Sequence, residues 1–520
     1  SAASDVYKRQ QLDLNSAVKP LEKYWELCVG SCHGTTALRE DYRKQLEQCQ
    51  REIGFRYVRF HGLFDDDMSV LVQERFGNGV QLSFTNIDSV FDFLLSINMK
   101  PFIELGFMPD CLKSKNATVF HYKGNTAPPA DHDKWSWFIR TFVRHLLDRY
   151  GRTEVRQWFF EVWNEPNLGG PDSPDGFFVG SMEDYFKLYQ VTAEAVKSED
   201  RFLRVGGPAT SNNAWIPEMV EFCRKNQAPI DFISTHHYPT DVVLGYGVED
   251  SANFGRPTPE QMEDPEFRKT FREKMEAFQA HLWERVDRGV VTQMTRKAVQ
   301  EADGLPVYYT EWNSLAGLPS DGPFGSSFIA KTVLDGVGLV NGYSYWTFSD
   351  IFEENGMPSA EFHGGFGLLT LHGVPKASYR AFQLLHMLGD SLYEQRLAEG
   401  TLDLYAIKHA AAGAIQLLAV NHHSLLHPIE EEEVQITLKG LKISEEAVLK
   451  AQVERVDDTH ANAIARWREQ RSPEYVTKSQ LEELKAASEL ERELLEIPVE
   501  QEEASVTLKI PAMGMACLLY

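Results

Sequence analysis

The chain has 520 residues, which is more than one ordinary domain contains unless that domain is a barrel. Hydrophobic residues make up 43% and aromatic residues 12%, so large cores can be buried, and no run of apolar residues is long enough to predict a membrane span. The formal charge of −24 argues against nucleic acid or an anionic membrane surface as a partner and suits a small neutral ligand.

Residues 1–19 are predicted to be an N-terminal extension that precedes the folded domains. They begin SAASDVYKRQ, which is typical of a read-through remnant rather than of a domain. The segment lacks the apolar stretch of a signal peptide, and we therefore expect a cytoplasmic protein.

Short apolar strands alternate with helix-like stretches between residues 20 and 388. Eight strand candidates occur in the order WELCVGS, FRYVRFHG, KPFIELGF, QWFFEVWNEP, LRVGGPA, DFISTHHYP, LPVYYTEWN and GYSYWTF. Eight strand–helix units over about 250 residues or more are typical of a (β/α)8 TIM barrel. Long loops are predicted at 108–134, 166–182 and 239–290, and the loops at the C-terminal ends of barrel strands carry function.

The pattern changes after residue 388. The stretches TLDLYAIKHAAAGAIQLLAVN, VQITLKG and ASVTLKIPAMGMACLLY alternate like strands of an antiparallel sheet. Between them, residues 456–496 are charged and helix-like. We therefore predict that residues 389–520 form a β-sandwich accessory domain with a charged helical insertion at about 456–496.

Two acidic residues follow aromatic strands in matching contexts. Glu165 lies in EVWNEPN, where Pro166 ends strand pairing, and Glu311 lies in PVYYTEWNS. These are the fourth and seventh strand candidates, so both carboxylates are expected at the C-terminal mouth of one barrel. Two carboxylates in one mouth are what glycoside hydrolysis requires, one protonated to assist the leaving oxygen and the other ionised to attack or stabilise C1.

Residues on neighbouring strands fit the same chemistry. Alternation along DFISTHHYP places His236 and Tyr238 on one face, from which Tyr238 could donate to Glu311. Arg59 and His61 share a face at the end of RYVRFHG, and a cation near a nucleophilic carboxylate lowers its pKa. For these side chains a structural ion pair or a structural histidine is the alternative interpretation.

The last barrel strand and its loop add three candidates. Trp346 in YSYWTF offers a flat apolar floor for a sugar ring, with core packing as the alternative. Glu353 and Glu354 follow, and their carboxylates could accept hydrogen bonds from sugar hydroxyls, with Glu354 the better candidate.

Five motifs, taken together with their order along the chain, resemble those of a known family. WNEPN, TEWN, GFRYVRFHG, STHHYPTD and YWTFSDIFEE together resemble glycoside hydrolase family 39, and most of all its bacterial β-xylosidases, over residues 25–390. The resemblance implies a retaining mechanism with Glu165 as acid/base and Glu311 as nucleophile. It implies that Asn164 contacts the sugar 2-hydroxyl. It also implies that a sugar-binding set surrounds the bond to be cleaved, formed by His61, His236, Trp346, Glu353 and Glu354, with Arg59 and Tyr238 near the nucleophile.

The expected substrate is a short β-1,4-xylo-oligosaccharide, cleaved from its non-reducing end. The alternatives are a β-glucosidase, an α-L-arabinosidase, an α-L-iduronidase or a non-catalytic carbohydrate-binding barrel. No cofactor and no metal are expected, since no cluster with zinc-ligand spacing occurs in the sequence. Partners beyond the small oligosaccharide are not expected, apart from further copies of the chain in a homo-oligomer.

Overall fold

The computed structural model describes residues 8–172, 176–239, 261, 263–314, 318–410, 413–425, 427–441 and 448–520. Within this part of the chain, eight parallel strands close into a barrel whose order follows the sequence, which confirms the predicted (β/α)8 fold. Barrel strands one to eight are Cys28–His33, Tyr57–His61, Lys100–Leu105, Phe159–Val162, Arg204–Thr210, Phe232–His237, Val307–Trp312 and Gly342–Tyr345.

Helices surround this barrel. They span Glu40–Ile53, Thr85–Ser96, His132–Tyr150, Arg152–Val155, Met182–Glu199, Ile216–Asn226, Pro265–Arg285, Val290–Glu301, Pro323–Asp335 and Ala377–His386. The helix His132–Tyr150 illustrates their amphipathic design. Asp131 caps its first turn by accepting hydrogen bonds from two backbone amides, and a face that includes Trp135 and Phe142 is fully buried.

The predicted long loops contain structure of their own. Residues 108–134 include the short hairpin of Thr118–Val119 and Gly124–Asn125, and a second hairpin pairs Leu71–Gln73 with Val80–Leu82. Of the loop predicted at 239–290, residues 240–260 and 262 lie outside the described residues. No helix in the described part of the chain is long and apolar enough to cross a membrane.

The barrel interior is built in layers by the two-residue period of its strands. The lower layer is aromatic and closes the N-terminal end, with Phe102 and Phe159 stacked at 4.5 Å between ring centroids. Two residues further along each strand, the inward side chains become polar: Arg59 follows Tyr57, Glu104 follows Phe102, Glu161 follows Phe159 and Thr310 follows Tyr308. The polar layer therefore lies between an apolar floor and the C-terminal mouth.

The C-terminal region forms one sheet of 11 strands. Lys8 at one edge donates to the Glu399 carbonyl near the other edge at 2.9 Å, so the sheet curls on itself and encloses its own apolar core. This curled sheet belongs to the all-β class, as predicted for the accessory domain. Its strands are Lys8–Asp13, Val18–Pro20, Ser391–Tyr393, Leu397–Glu399, Leu402–His409, Ala414–Asn421, Glu432–Lys439, Val448–Val456, Arg492–Glu500, Glu503–Ile510 and Met515–Leu519.

The prediction that residues 1–19 are an extension is wrong for the described residues from 8 onward. The strand Lys8–Asp13 pairs in parallel with Glu432–Lys439, and Val18–Pro20 pairs with Ser391–Tyr393. The strand KRQQLD gave no apolar signal because it lies at a sheet edge, where only Leu12 is fully buried.

The helical insertion is shorter than predicted. Helices cover Ala463–Glu469 and Lys478–Ala487, but Arg492–Glu500 is a strand that pairs with Val448–Val456. Its glutamates favour a helix, whereas the burial of alternate residues follows the period of a strand. The two helices pack through Trp467 and Leu484 against the loop that follows barrel strand eight.

Buried histidines generate a prediction about acid stability. Burial lowers the pKa of His61 and of His237 to about 3, whereas an unfolded histidine has a pKa of about 6.5. Between these values the unfolded chain binds more protons than the folded one, so stability falls as the pH falls from 6.5 towards 3. Each such histidine contributes up to about 1.4 kcal/mol per pH unit to that slope.

We expect His237→Gln to flatten the pH dependence of the unfolding free energy, measured by denaturant titration over this window. The exposed His121 provides a control for the replacement of a histidine by glutamine at the surface. Equal slopes for His237→Gln and the wild type would contradict the assignment of His237 as a buried neutral group.

Candidate active site

The two predicted carboxylates meet at the C-terminal mouth of the barrel. Glu311 lies on strand seven, and Glu165 follows strand four in a left-handed conformation with φ of 41°, fixed by a hydrogen bond from its amide to the Ala209 carbonyl at 2.8 Å. Both side chains are almost completely buried. One oxygen of each carboxylate and one ring nitrogen of His236 lie within 4.8 Å of one another.

Arg59 occupies the centre of the polar layer and is fully buried. Its guanidinium donates to Glu311 Oε1 at 2.9 Å, to Asn164 Oδ1 at 2.9 Å and to Glu161 Oε2 at 2.5 Å, and it lies 3.2 Å from Glu104 Oε2. Burial lowers the pKa of Arg59, but the charges of Glu161, Glu104 and Glu311 outweigh burial and raise it. Arg59 is therefore a permanent cation that joins four strands.

Two further groups, Tyr238 and His61, lie against Glu311. Tyr238 donates its hydroxyl to Glu311 Oε2 at 2.8 Å, and His61 Nε2 lies 3.7 Å from Oε1. Burial raises the pKa of the Glu311 carboxyl above its usual value, and Arg59, His61 and the Tyr238 hydrogen bond offset part of that rise. These contacts stabilise the ionised carboxylate in a site from which water is largely removed.

Glu165 has a different environment. His236 Nδ1 lies 2.9 Å from Glu165 Oε1 and 3.6 Å from Glu311 Oε2, so the imidazole stands between the two carboxylates. Burial lowers the pKa of His236 well below its usual value, and the nearby Arg59 and His61 lower it further. The neutral ring next to Glu165 contrasts with the cation next to Glu311, so the two carboxylates have environments that separate their roles.

One wall of the mouth is aromatic. The Trp346 ring is buried and lies 4.7 Å from the His61 ring, and its edge crosses directly over Gly30 on strand one. A Cβ at position 30 would stand 2.4 Å from Trp346 Cε3, so only glycine leaves room for the ring in this position.

The two glutamates after strand eight have different contacts and pKa shifts of opposite direction. Glu353 accepts from His33 Nε2 at 2.6 Å, and this hydrogen bond lowers the Glu353 pKa. Glu354 lies 3.8 Å from His61 Nε2, and burial, followed by the charges of Glu311 and Glu104, raises its pKa well above the usual value. Glu354 therefore faces the carboxylate pair, whereas the contact of Glu353 is with His33.

The sequence-based candidates omitted the polar layer below the mouth. Glu104 and Glu161 are fully buried, and Glu104 accepts a hydrogen bond from His61 Nδ1 at 2.8 Å. The available signal was their position, since each lies two residues after an aromatic residue in an otherwise apolar strand. An acidic residue there cannot face solvent and needs a buried partner.

In the part of the chain that the structure describes, two clusters have ligand atoms close enough for a metal ion, one formed by Glu165, His236 and Glu311 and the other by His33, Asp65 and Asp67. In the first cluster the cation is already supplied by Arg59. In the second, both ring nitrogens of His33 are engaged, with Glu353 at 2.6 Å and with Thr35 at 3.1 Å. The absence of a metal stays a prediction.

Comparisons with known proteins agree with this geometry. The sequence model of glycosyl hydrolases family 39 matches residues 8–252 and 269–500. A β-xylosidase of Caldicellulosiruptor saccharolyticus is 48% identical over 480 residues, covering 91% of this chain and 90% of the relative. A β-xylosidase of Geobacillus stearothermophilus is 35% identical over 480 residues, covering 90% and 86%.

The structure of a family 39 β-xylosidase from Caulobacter crescentus superimposes with a TM-score of 0.77 at 32% identity, covering 98% of this chain and 99% of that one. The match to the family model extends through the barrel and into the curled sheet, and it includes both carboxylate motifs. The chain therefore belongs to glycoside hydrolase family 39.

Proposed function

We propose that the protein is a retaining β-xylosidase that removes single xylose units from the non-reducing end of short β-1,4-xylo-oligosaccharides. The observation that carries the retaining mechanism is the approach of the carboxylates, with one oxygen from each within 4.8 Å. Retaining glycosidases hold their carboxyl groups about 5–5.5 Å apart, whereas inverting enzymes leave about 6.5–9.5 Å for a water molecule. Relatives named as β-xylosidases support the sugar.

Glu311 is the proposed nucleophile. Arg59 donates a hydrogen bond to Oε1 of Glu311, and Tyr238 donates one to Oε2. These two hydrogen bonds keep the carboxylate ionised and fix its direction. Its oxygen attacks C1 and forms a glycosyl-enzyme bond as the glycosidic bond breaks. Glu165 gives its proton to the leaving oxygen, then takes a proton from the water that attacks C1 and releases Glu311.

The remaining side chains suit a neutral sugar in the mouth. Asn164 accepts from Arg59 through Oδ1, and its Nδ2 is buried with no hydrogen-bond partner among the described residues. An amide fixed in this way is positioned to donate to the 2-hydroxyl beside the nucleophile. His61 and Glu354 offer polar contacts to the other hydroxyls, and Trp346 offers the apolar surface.

The alternative substrates fit less well. The carboxylate of an iduronide would meet the ionised Glu311 in a confined site, where like charges repel, and the same surroundings already raise the pKa of Glu354 by disfavouring a further negative charge. A binding protein without catalysis has no need of both carboxylates, and the chain has both. The cytoplasmic location and the homo-oligomer stay predictions.

Chemical rescue tests the two roles. We expect Glu311→Ala to abolish turnover and Glu165→Ala to reduce kcat/KM on xylobiose by about 10²–10⁴-fold, because the acid is lost. Azide should restore turnover of an activated aryl xyloside by both variants. It should give β-xylosyl azide with Glu165→Ala and the α anomer with Glu311→Ala.

The exposed Glu221 serves as a matched control, and Glu221→Ala should retain wild-type rates and give no azide adduct. The opposite pair of anomers would show that the roles of Glu165 and Glu311 are reversed.

A panel of four 4-nitrophenyl glycosides tests the sugar. We expect kcat/KM to be highest on the β-xyloside, lower on the β-glucoside and α-L-arabinopyranoside, and undetectable on the α-L-iduronide. The value of kcat/KM on the β-xyloside should exceed that on the β-glucoside by about 10–200-fold, since an apolar wall discriminates poorly against one extra group. A preference for any other member of the panel would refute xylose as the sugar.

Replacement of Gly30 tests whether the position of the Trp346 ring matters for sugar binding. Gly30→Ala introduces a Cβ at 2.4 Å from the indole, so the ring must move, and we expect kcat/KM to fall by about tenfold or more. At Gly322 the nearest atoms lie 3.8 Å from an added Cβ, so Gly322→Ala is the control. If kcat/KM of Gly30→Ala equals that of the control, Trp346 does not position the sugar.

A further inference from the structure

A continuous chain of hydrogen bonds runs from the polar layer of the barrel to Glu165. Thr310 donates its hydroxyl to Glu161 Oε1 at 2.7 Å, and the Thr310 oxygen lies 3.0 Å from His236 Nε2. The other ring nitrogen, His236 Nδ1, lies 2.9 Å from Glu165 Oε1. All four side chains are buried, so the protons in this chain are not exchanged freely with water.

The direction of each hydrogen bond follows from the number of protons available. Glu161 forms an ion pair with Arg59 and can only accept while it is ionised. The hydroxyl of Thr310 has one proton, which it gives to Glu161. The Thr310 oxygen must then accept from His236, so the proton of the imidazole lies on Nε2.

A neutral imidazole with its proton on Nε2 has only a lone pair on Nδ1. Burial favours this neutral form, and the charge of Arg59 favours it further. A lone pair on Nδ1 makes a hydrogen bond with Glu165 Oε1 only if that oxygen bears the proton. If Glu165 were ionised, its Oε1 and the Nδ1 of His236 would be two hydrogen-bond acceptors 2.9 Å apart with no proton between them.

We infer that Glu161, Thr310 and His236 form a positioning relay that holds the acid proton on Glu165, an inference that rests on the proposed function of Glu165 as the general acid. The hydrogen bonds of the Thr310 and Glu161 side chains join them to His236, to each other and to Arg59. They act by fixing the tautomer of His236, as second partners of a histidine commonly do.

The opposite arrangement is disfavoured by the same contacts. With the proton on Nδ1, His236 would stabilise an ionised Glu165, and Thr310 would have to turn its proton towards Nε2. The Thr310 and Glu161 oxygens would then face each other as two acceptors at 2.7 Å. Among the described residues, the charged or titratable groups that face His236 are Glu165, Glu311, Arg59 and His61, and none of these four relieves this repulsion.

The relay protons stay in place during the reaction. In the first step the Glu165 proton moves to the leaving oxygen, and in the second step a proton of the attacking water moves to Glu165. While Glu165 is ionised it faces the Nδ1 lone pair, which increases its affinity for a proton. The relay therefore strengthens the base that the second step requires.

Replacement of Thr310 tests the relay through the pH profile. Thr310→Val keeps the shape and removes the hydroxyl, which frees His236 to place its proton on Nδ1. We expect the alkaline limb of kcat/KM, which reports the acid, to move to lower pH by about one unit, and Thr310→Ser to restore the wild-type limb. The substrate is whichever glycoside the wild type cleaves best, and an aryl glycoside with a strongly activated leaving group should show little loss.

Thr235 provides a matched control. It is a buried threonine on the neighbouring strand whose hydroxyl donates to the Thr210 carbonyl at 3.0 Å, so Thr235→Val removes a similar group outside the relay. The relay is overturned if the alkaline limb of kcat/KM for Thr310→Val lies at the same pH as that of the wild type. It is equally overturned if Thr310→Ser or Thr235→Val moves the limb as Thr310→Val does.

A second measurement uses the wild-type protein and decides the question if Thr310→Val does not fold. Nitrogen chemical shifts of ¹⁵N-labelled histidine show which ring nitrogen bears the proton, with the His236 signals assigned by their loss in His236→Asn. We expect a protonated Nε2 and an unprotonated Nδ1, and a protonated Nδ1 overturns the inference. Failure of the wild type to cleave any glycoside would instead refute the proposed function, because the tautomer is measured without turnover.

Discussion

The buried guanidinium of Arg59 is the constraint on which the active site depends. It lies inside the barrel, against three carboxylates and one amide that come from three other strands or their ends. Replacing a buried ion pair by apolar groups is often harmless to stability, whereas removal of one partner costs about 3–5 kcal/mol. The network is therefore better explained by geometry, since one planar fork fixes the directions of Glu311, Asn164 and Glu161 together.

One cation cannot keep every surrounding carboxylate ionised. Burial raises the pKa of Glu104 well above its usual value, and the charge of Glu161 raises it further, against the lowering effect of Arg59. Glu311 instead accepts hydrogen bonds from Arg59 and Tyr238, and both contacts favour its charged form. A second ionised group close to Glu311 would be costly, which favours a proton on Glu165 and gives the two acids opposite roles in the first step.

The parts of this arrangement that sequence can predict are those set by local pattern. Glu165 and Glu311 follow aromatic strands, so their places at the mouth follow from the barrel fold alone. The partners of Arg59 required the register of neighbouring strands, and nothing local shows that Glu161 and Thr310 stand side by side across 149 positions of the chain. Motif likeness did not separate Glu353 from Glu354, because their difference depends on His33 and His61, which lie on other strands.

Strands that depend on pairing with distant segments gave the weakest sequence signal for the same reason. The segment Lys8–Asp13 has one fully buried residue, and its identity as a strand depends on pairing with a segment more than 400 positions away. The strand Arg492–Glu500 has a glutamate-rich composition that favours a helix, and its pairing with Val448–Val456 overrides that preference.

Trapping the covalent intermediate tests the central claim most directly. A 2-deoxy-2-fluoro-β-xyloside with an activated leaving group should inactivate the enzyme, because fluorine slows the second step more than the first. Mass spectrometry of the digested protein should then locate one fluoroxylosyl group on Glu311, the carboxylate held by Arg59 and Tyr238. A label on Glu165 or any other residue, or turnover to α-xylose without a label, would contradict the account.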